Sequence, residues 1–459
     1  MKKLNRILRG LIYVLPAVLF FSYYPVISLG SSETMNFELS LPILWLLVFD
    51  FIGFLILVFE KKLFSGVRRW WWGLLFPTFA TLSLIWSENL VRGVLTCGIL
   101  WLVLFAVYVI LSLREKFYDE RGFSYVFLKV FLASSVLICL WCVAQCVMDV
   151  LGASREVTLL CPGCVYQMFG FPHPNGFAIE PQFMGNLLLA PVLISGYFVL
   201  KNRKYLLLFF IFVAALFLTF SRGAIYAFVV GMVFMSVALF VKKIGFKKIA
   251  MMWGVVVLSF VFTLNLQGVL AQVSPTNDTY ISGVSKVLNH LSLGIIDIRA
   301  GTDEEVGNNV GDDEVVERDE NEAVFDGYVE ESTNVRMELT KNAVKVWSRD
   351  FRAMMLGVGI GGAGQAMYDA GLTGSPKEIV QNEYASLLLE TGIVGVILVI
   401  IVIFMILKNI RKNPVSIIIL SLMVSYGVSL MFFSGMVNAL QIYLLPPVIY
   451  IVLRKKLVS

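Results

Sequence analysis

Charge is scarce in this sequence. Only 15% of its 459 residues are Asp, Glu, Lys or Arg, while 58% are hydrophobic. That shortage excludes an ordinary soluble protein of this length, because repeated apolar runs near 20 residues are the mark of transmembrane helices. Histidine is scarcer still: the chain has two. A cleavable signal peptide is not evident. Met1 to Arg9 is basic and the run after it has a spanning length, which reads as a retained first helix, although a signal sequence starts the same way.

What is there in quantity is apolar sequence in blocks. Spans are expected at 10–29, 39–59, 70–86, 93–113, 124–152, 182–200, 205–220, 224–241, 249–268, 384–407, 414–434 and 436–453, twelve in all. The predicted class is an all-α integral membrane protein: residues 1–268 form nine spans, 269–382 one large loop, and 383–459 three more spans. Both ends and five alternate loops carry 24 of the 37 basic residues, from Lys2, Lys3, Arg6 and Arg9 to Arg454, Lys455 and Lys456. The short loops on the other face carry only Arg92, Arg155 and Arg222. The positive-inside bias puts both termini in the cytoplasm. The net charge of +5 reflects these anchors and gives no reason to expect nucleic acid as a partner.

Arg222 sits in "FLTFSRGAIYAF" (217–228), in a turn of about three residues between the seventh and eighth spans. It is expected at the outer interface, not mid-bilayer. One reading is a snorkelling anchor. The other is a fixed anion site, in which Gly223 lets a phosphate approach the backbone and the guanidinium fork grips its oxygens.

The large outer loop holds 19 acidic and 9 basic residues, and its stretch 301–332 holds 13 acids with Arg318 the one base. Such composition predicts a mobile, solvated segment. The acids do not follow an EF-hand spacing. "STNVRMELTKNAVKVWSRD" then reads as a helix, about 334–349, capped by Thr333 or Asn334. Arg336, Thr340, Ala343 and Trp347 share one face; Lys341, Lys345, Arg349 and Arg352 share another, suited to lipid headgroups or an anionic substrate. "LGVGIGGAGQ" contains G-x-G-x-x-G at Gly359, Gly361 and Gly364, but no βαβ unit surrounds it, so a turn returning the chain to the membrane is expected instead of a dinucleotide site.

In "QNEYASLLLETGIVGVIL", Gln381, Asn382 and Glu383 stand at the mouth of the tenth span, and Glu390 lies inside it on roughly the same face as Glu383. A carboxylate there implies a partner or a polar cavity. The outer loop 153–181 carries "CPGC" and "FGFPHPNGFAIEPQFMGN". Cys161 and Cys164 face the oxidising side as a disulfide or as free thiols, and two cysteines alone make no metal site. Cys97, Cys139, Cys142 and Cys146 fall within spans as packing residues. His173 and Glu180 lie near the interface, in a segment that Pro172, Pro174, Pro181 and Gly176 shape, with a re-entrant path open to it.

The sequence resembles the superfamily of O-antigen ligases and O-antigen polymerases. The likeness rests on "LSLIWSENLVRGVL" (82–95), "EPQFMGNLLL" (180–189), "TFSRGA" (219–224), and "VRMELTKNAVKVW…LGVGIGG" followed by "QNEYASLLLETGIVG" (335–395), together with about twelve spans and one large outer loop between the ninth and tenth. It covers almost the whole chain. The resemblance implies an enzyme on the outer face of the cytoplasmic membrane that takes a glycan from an undecaprenyl-diphosphate-linked donor. Ligases move it to lipid A–core and polymerases to the next lipid-linked repeat. The resemblance also implies that Arg222 and Arg336 hold the donor diphosphate. Related ligases carry a histidine where this chain has Gln381, a departure that leans towards a polymerase or a ligase for another acceptor.

The chemistry agrees with these residues. Glycosyl transfer from a lipid diphosphate builds negative charge on the leaving group, and a fixed donor aimed at that charge is worth about 3–4 kcal/mol of barrier. No metal, cofactor or nucleotide is called for: the diphosphate linkage is already activated, and no clear Asp-x-Asp pair stands in the outer loops. The expected catalytic group is Arg222, Arg336, Glu383 and Gln381, and the expected substrate contacts are Glu180, His173, Asn382, Lys341 and Lys345. Glu383, Glu180 and His173 are the candidates for base or positioner. Membrane lipids and a saccharide or glycolipid acceptor are the expected partners. Two other classes stay open: a lipid-linked oligosaccharide flippase, which predicts internal repeats and broken helices near the midplane, whereas no repeat is visible and the polar residues crowd the outer side, and a non-catalytic membrane scaffold, against which arginines at two separate outer positions argue mildly.

Overall fold

The computed structural model describes residues 2–31, 36–64, 70–114, 122–160, 173–273, 320–410, 414–434 and 439–456. Its first helix, α1 (Lys2–Phe20), is followed by the antiparallel strands β1 (Val26–Ser31) and β2 (Asn36–Ser40). The span expected at 10–29 therefore starts and stops early. The backbone N–H groups of Tyr23 and Tyr24 donate to Phe177 O at 3.1 and 2.9 Å. Pro25 has no N–H to offer a helix, so the chain turns into the hairpin.

From the second expected span onward a helix stands at each position. These are α2 (Leu41–Phe59), the irregular α3 (Trp71–Trp86), α4 (Leu90–Ser112), α5 (Phe123–Val150), α6 (Pro181–Val199), α7 (Leu206–Leu218), α8 (Arg222–Val241) and α9 (Phe246–Val273). After them come α10 (Glu320–Trp347), the short α11 (Phe351–Leu356) and α12 (Ala363–Asp369), and finally α13 (Glu383–Asn409), α14 (Pro414–Ser429) and α15 (Gln441–Lys456). Among the described residues seven helices (α2, α4, α5, α6, α8, α9 and α13) are long and apolar enough to cross a membrane.

α6 is apolar all round and is buried almost along its whole length, as a helix at the centre of a bundle must be. α7, α8 and α14 pack around it. The outer helices bury one side and leave large apolar residues on the other, including Phe51, Phe54, Leu137, Leu140, Val257, Leu258, Ile400 and Phe404. So much uncovered apolar surface suits hydrocarbon, not water. The chain is a helical membrane protein.

A second, smaller core lies at the α10 end. Ala343 and Val346 of α10 pack with Val358, with Ala363, Ala366 and Met367 of α12, and with Ala385 and Leu389 of α13. α10 begins at Glu320, so the expected cap at Thr333 or Asn334 lies inside the helix. Part of the acidic stretch expected to be mobile, 320–332, is helical backbone, and the remainder, 301–319, lies outside the described residues, as do Cys161 and Cys164.

Candidate functional site

Three helices begin at one end of the bundle, around the turn that follows α14. α6 starts at Pro181, whose missing N–H costs nothing at a helix start. Gln182, in its first turn, donates from Nε2 to Phe432 O at 2.7 Å. α8 starts at Arg222 behind the cap Ser221, whose Oγ accepts from Ala224 N–H at 3.4 Å. Gly223 is pressed against Phe432: an added Cβ would stand 2.7 Å from that residue's Cβ. α13 starts at Glu383, whose backbone N–H donates to Leu430 O at 2.9 Å. The positive ends of three helix dipoles thus meet around residues 430–432.

Arg336 and the start of α8, which carries Arg222, reach the same turn. Arg336, half-buried on α10, donates from Nη1 to Phe432 O at 3.3 Å. Arg222 is half-buried and acts electrostatically on Tyr226 one turn along α8, whose ring lies 5.9 Å from that of Phe432. Sequence reasoning proposed both arginines but missed the residues that join them. Gln182 left a signal, a polar side chain opening an apolar span. Phe432 left none, since it contributes a backbone carbonyl.

The turn before Arg222 is strained. Phe220 has φ 46°, in the left-handed region that a bulky side chain rarely occupies. Its ring packs 5.4 Å from His173. His173 is buried, and burial pulls its pKa from 6.5 down to about 4. The imidazole is therefore neutral near pH 7 and lies behind the arginine turn. Its loop is stitched in place by Gln145 of α5, which donates to Thr158 O, Asn175 Oδ1 and Gly176 O at 2.7, 3.0 and 3.0 Å and accepts from Gly176 N–H at 2.9 Å. Glu180 is exposed at the start of α6 beside Gln182.

The remaining candidates divide. Asn382 caps α13: its Oδ1 accepts from the N–H groups of Tyr384 and Ala385 at 3.0 and 3.2 Å. Glu383 lies in the first turn, where the helix dipole favours a carboxylate. Gln381, just before the cap, is half-buried. Lys341 and Lys345 are exposed on α10, on the side away from its buried Ala343 and Val346.

Residues 207–400 match the family described as O-antigen ligase. No curated protein matches the chain. The matched region runs from α7 through the break of α13 and includes Arg222, Arg336 and Glu383. This region, within a bundle of apolar helices, is thus similar to the O-antigen ligase family.

Proposed function

We propose that this protein transfers a glycan from an undecaprenyl-diphosphate-linked donor to a saccharide acceptor at the outer face of a bacterial cytoplasmic membrane. In this reading about twelve helices cross the membrane, both termini are cytoplasmic, and α10–α12 lie outside. The observation that supports the proposal is that Arg336 donates to the Phe432 carbonyl in the turn against which the first residues of α8, next to Arg222, are packed, with the starts of α6 and α13 bonded to the same turn. Two guanidinium groups and the positive ends of helix dipoles suit a diphosphate.

Arg222 and Arg336 grip the diphosphate oxygens and stabilise the charge that develops as the bond between the sugar and the diphosphate breaks. Because these groups are already in place, little reorganisation accompanies the step. Glu383, at the mouth of α13, takes the proton of the acceptor hydroxyl or orients it, with Gln381 and Glu180 lining the acceptor side. His173 supports the Arg222 turn through Phe220. Lys341 and Lys345 draw anionic lipid or glycan towards α10. In this reading the arginines supply the charge stabilisation that a metal would otherwise provide.

Purified full-length protein given a defined undecaprenyl-diphosphate-linked repeat tests this reading. A ladder of products identifies a polymerase, and one product on a separate acceptor identifies a ligase. Gln381 favours the ladder. Activity is expected to survive EDTA. No product from either substrate pairing contradicts the proposal.

A further inference from the structure

The glycine-rich turn and Glu390 have no part in the transfer as described above, yet they meet. α13 is broken at Gly392, whose φ of 62° and ψ of −170° are not helical. A break leaves carbonyls without their usual helical donors. The N–H groups of Val358 and Gly359 take two of them, donating to Leu389 O and Glu390 O at 2.9 and 3.0 Å. The opposite side of the turn docks on the α3–α4 connection. Ser83 Oγ accepts from Ile360 N–H at 3.0 Å, Ser87 Oγ donates to Ile360 O at 2.9 Å, and Glu88 N–H donates to Val358 O at 3.2 Å.

Only glycine fits at the contact points. Gly357, Gly359 and Gly361 have φ of 72°, 90° and 77°. A Cβ on Gly357 would stand 2.4 Å from the Glu390 carbonyl, one on Gly359 2.4 Å from Ser87 Cα, and one on Gly361 2.5 Å from Gly93 N. The G-x-G-x-x-G spacing records close backbone contact with two helix ends.

The Glu390 side chain closes the same junction. The N–H groups of Gly361 and Ala363 donate to its carboxylate, and Arg92 is the cation acting on it. Arg92 lies in the first turn of α4, where the dipole disfavours a cation, so it is placed there against its own helix. Its Nη1 would be 3.4 Å from a Cβ on Gly364. The turn so held supplies Val358 and Ala363 to the small core that seats Ala343 and Val346 of α10. Arg336 is two helical turns from Ala343 on that helix, roughly 10 Å along its axis.

We propose that Glu390 is a positioning residue, which locks the glycine-rich turn into the break of α13 and thereby sets where α10 presents Arg336. The inference rests on the reading that Arg336 holds the donor diphosphate. A buried carboxyl group reached by two backbone N–H groups and faced by an arginine has each of its oxygens specified, so it fixes the turn in one position. Glutamine keeps the shape and one acceptor oxygen but replaces the other by an NH2 donor, which cannot accept from a second N–H group or from the arginine.

The test compares full-length wild type with Glu390→Gln and Arg92→Gln. It measures hydrogen exchange by mass spectrometry and steady-state transfer with the undecaprenyl-diphosphate-linked repeat as donor. Glu390→Gln is expected to speed exchange in 336–347 and 357–364 while 222–230 keep the wild-type rate. The donor KM should rise about tenfold with the acceptor KM unchanged. Arg92→Gln should give the same pattern at smaller amplitude, and it remains informative if Glu390→Gln fails to fold. Wild-type exchange in α10 together with a wild-type donor KM overturns the inference. So does a fall in kcat with both KM values unchanged, because that marks a smaller folded fraction. If α10 loosens as expected but Arg336→Ala keeps the wild-type donor KM, the lock stands as a structural device and the diphosphate reading fails.

Discussion

Arg222 and Arg336 approach one turn from elements held in different ways. Arg222 opens a helix within the main bundle. Its neighbours Gly223 and Ala224 are packed against Phe432 and Gly185, and Phe220 before it is wedged in a left-handed conformation. Arg336 rides on a helix whose buried Ala343 and Val346 meet a small satellite core, and a glycine turn fixes that core to the bundle. An exposed ion pair between Arg349 and Glu88, at 2.9 Å, adds little to that attachment. One arginine is thus set by the body of the protein and the other by a docked module. A site assembled in this way can be spoiled from one side without disturbing the other.

The comparison is broken most severely by removing either arginine. Arg222→Ala and Arg336→Ala are each expected to cost about 10²–10³-fold in transfer rate. Arg222→Lys should lose much of the activity too, because the planar fork is gone. The thermal-unfolding midpoint in detergent should barely move for any of these, and wild-type transfer by Arg222→Lys would return Arg222 to a mere interfacial anchor.

The module's attachment is the next lever. Gly359→Ala forces a Cβ onto the Ser87 backbone at φ 90°, a cost of about 1–3 kcal/mol for the conformation alone. A lowered unfolding midpoint is the expected result. Gly98→Ala, on α4 with nothing within 4 Å of its new Cβ, is the control and should be neutral or slightly stabilising.

The Arg222 side of the comparison carries its own pH dependence. The folded pKa of His173 is lowered from 6.5 to about 4, so an unfolded chain binds the proton first as pH falls. The stabilisation from the neutral ring is therefore complete above about pH 6.5 and is lost progressively as pH drops towards 4. Unfolding midpoints measured across that window should fall in wild type and fall less in His173→Phe. Equal slopes would show that burial of this ring is not what titrates.

The smallest expected effect separates a cap from a ligand. Asn382→Ala removes the acceptor for two N–H groups and should cost about 1 kcal/mol of stability. Asn382→Asp keeps the cap and should keep both stability and transfer. A loss of transfer in Asn382→Asp at unchanged stability would make Asn382 a substrate contact after all.

The sequence made the bundle legible because apolar runs bounded by polar loops are a strong signal. α2 and α4–α9 lie close to their expected positions. The first span was misplaced because apolar content alone does not distinguish a helix from the "YYPVISLGS" hairpin that follows α1. Arg222 and Arg336 stood out as charges at the edges of apolar or helical segments. The partners that unite them did not: Phe432 acts through its carbonyl, and Ser83, Ser87 and Arg92 meet the glycine turn across some 270 residues of chain. The glycine spacing was correctly separated from a βαβ unit, but its real contacts are tertiary and leave no local pattern. For Asn382 the cap signal was present, since an Asn just before an acidic first turn is a common helix start.

The central claim is that the two arginines grip one diphosphate as a unit, and a double-mutant cycle on transfer tests it most directly. Single-turnover rates would be measured for wild type, Arg222→Ala, Arg336→Ala and the double variant, with the same lipid-linked donor. Residues that act together are grossly non-additive. The account predicts a double variant no more than a few-fold slower than the worse single one. Losses that multiply would mean that Arg222 and Arg336 act independently, and the shared diphosphate site would be wrong.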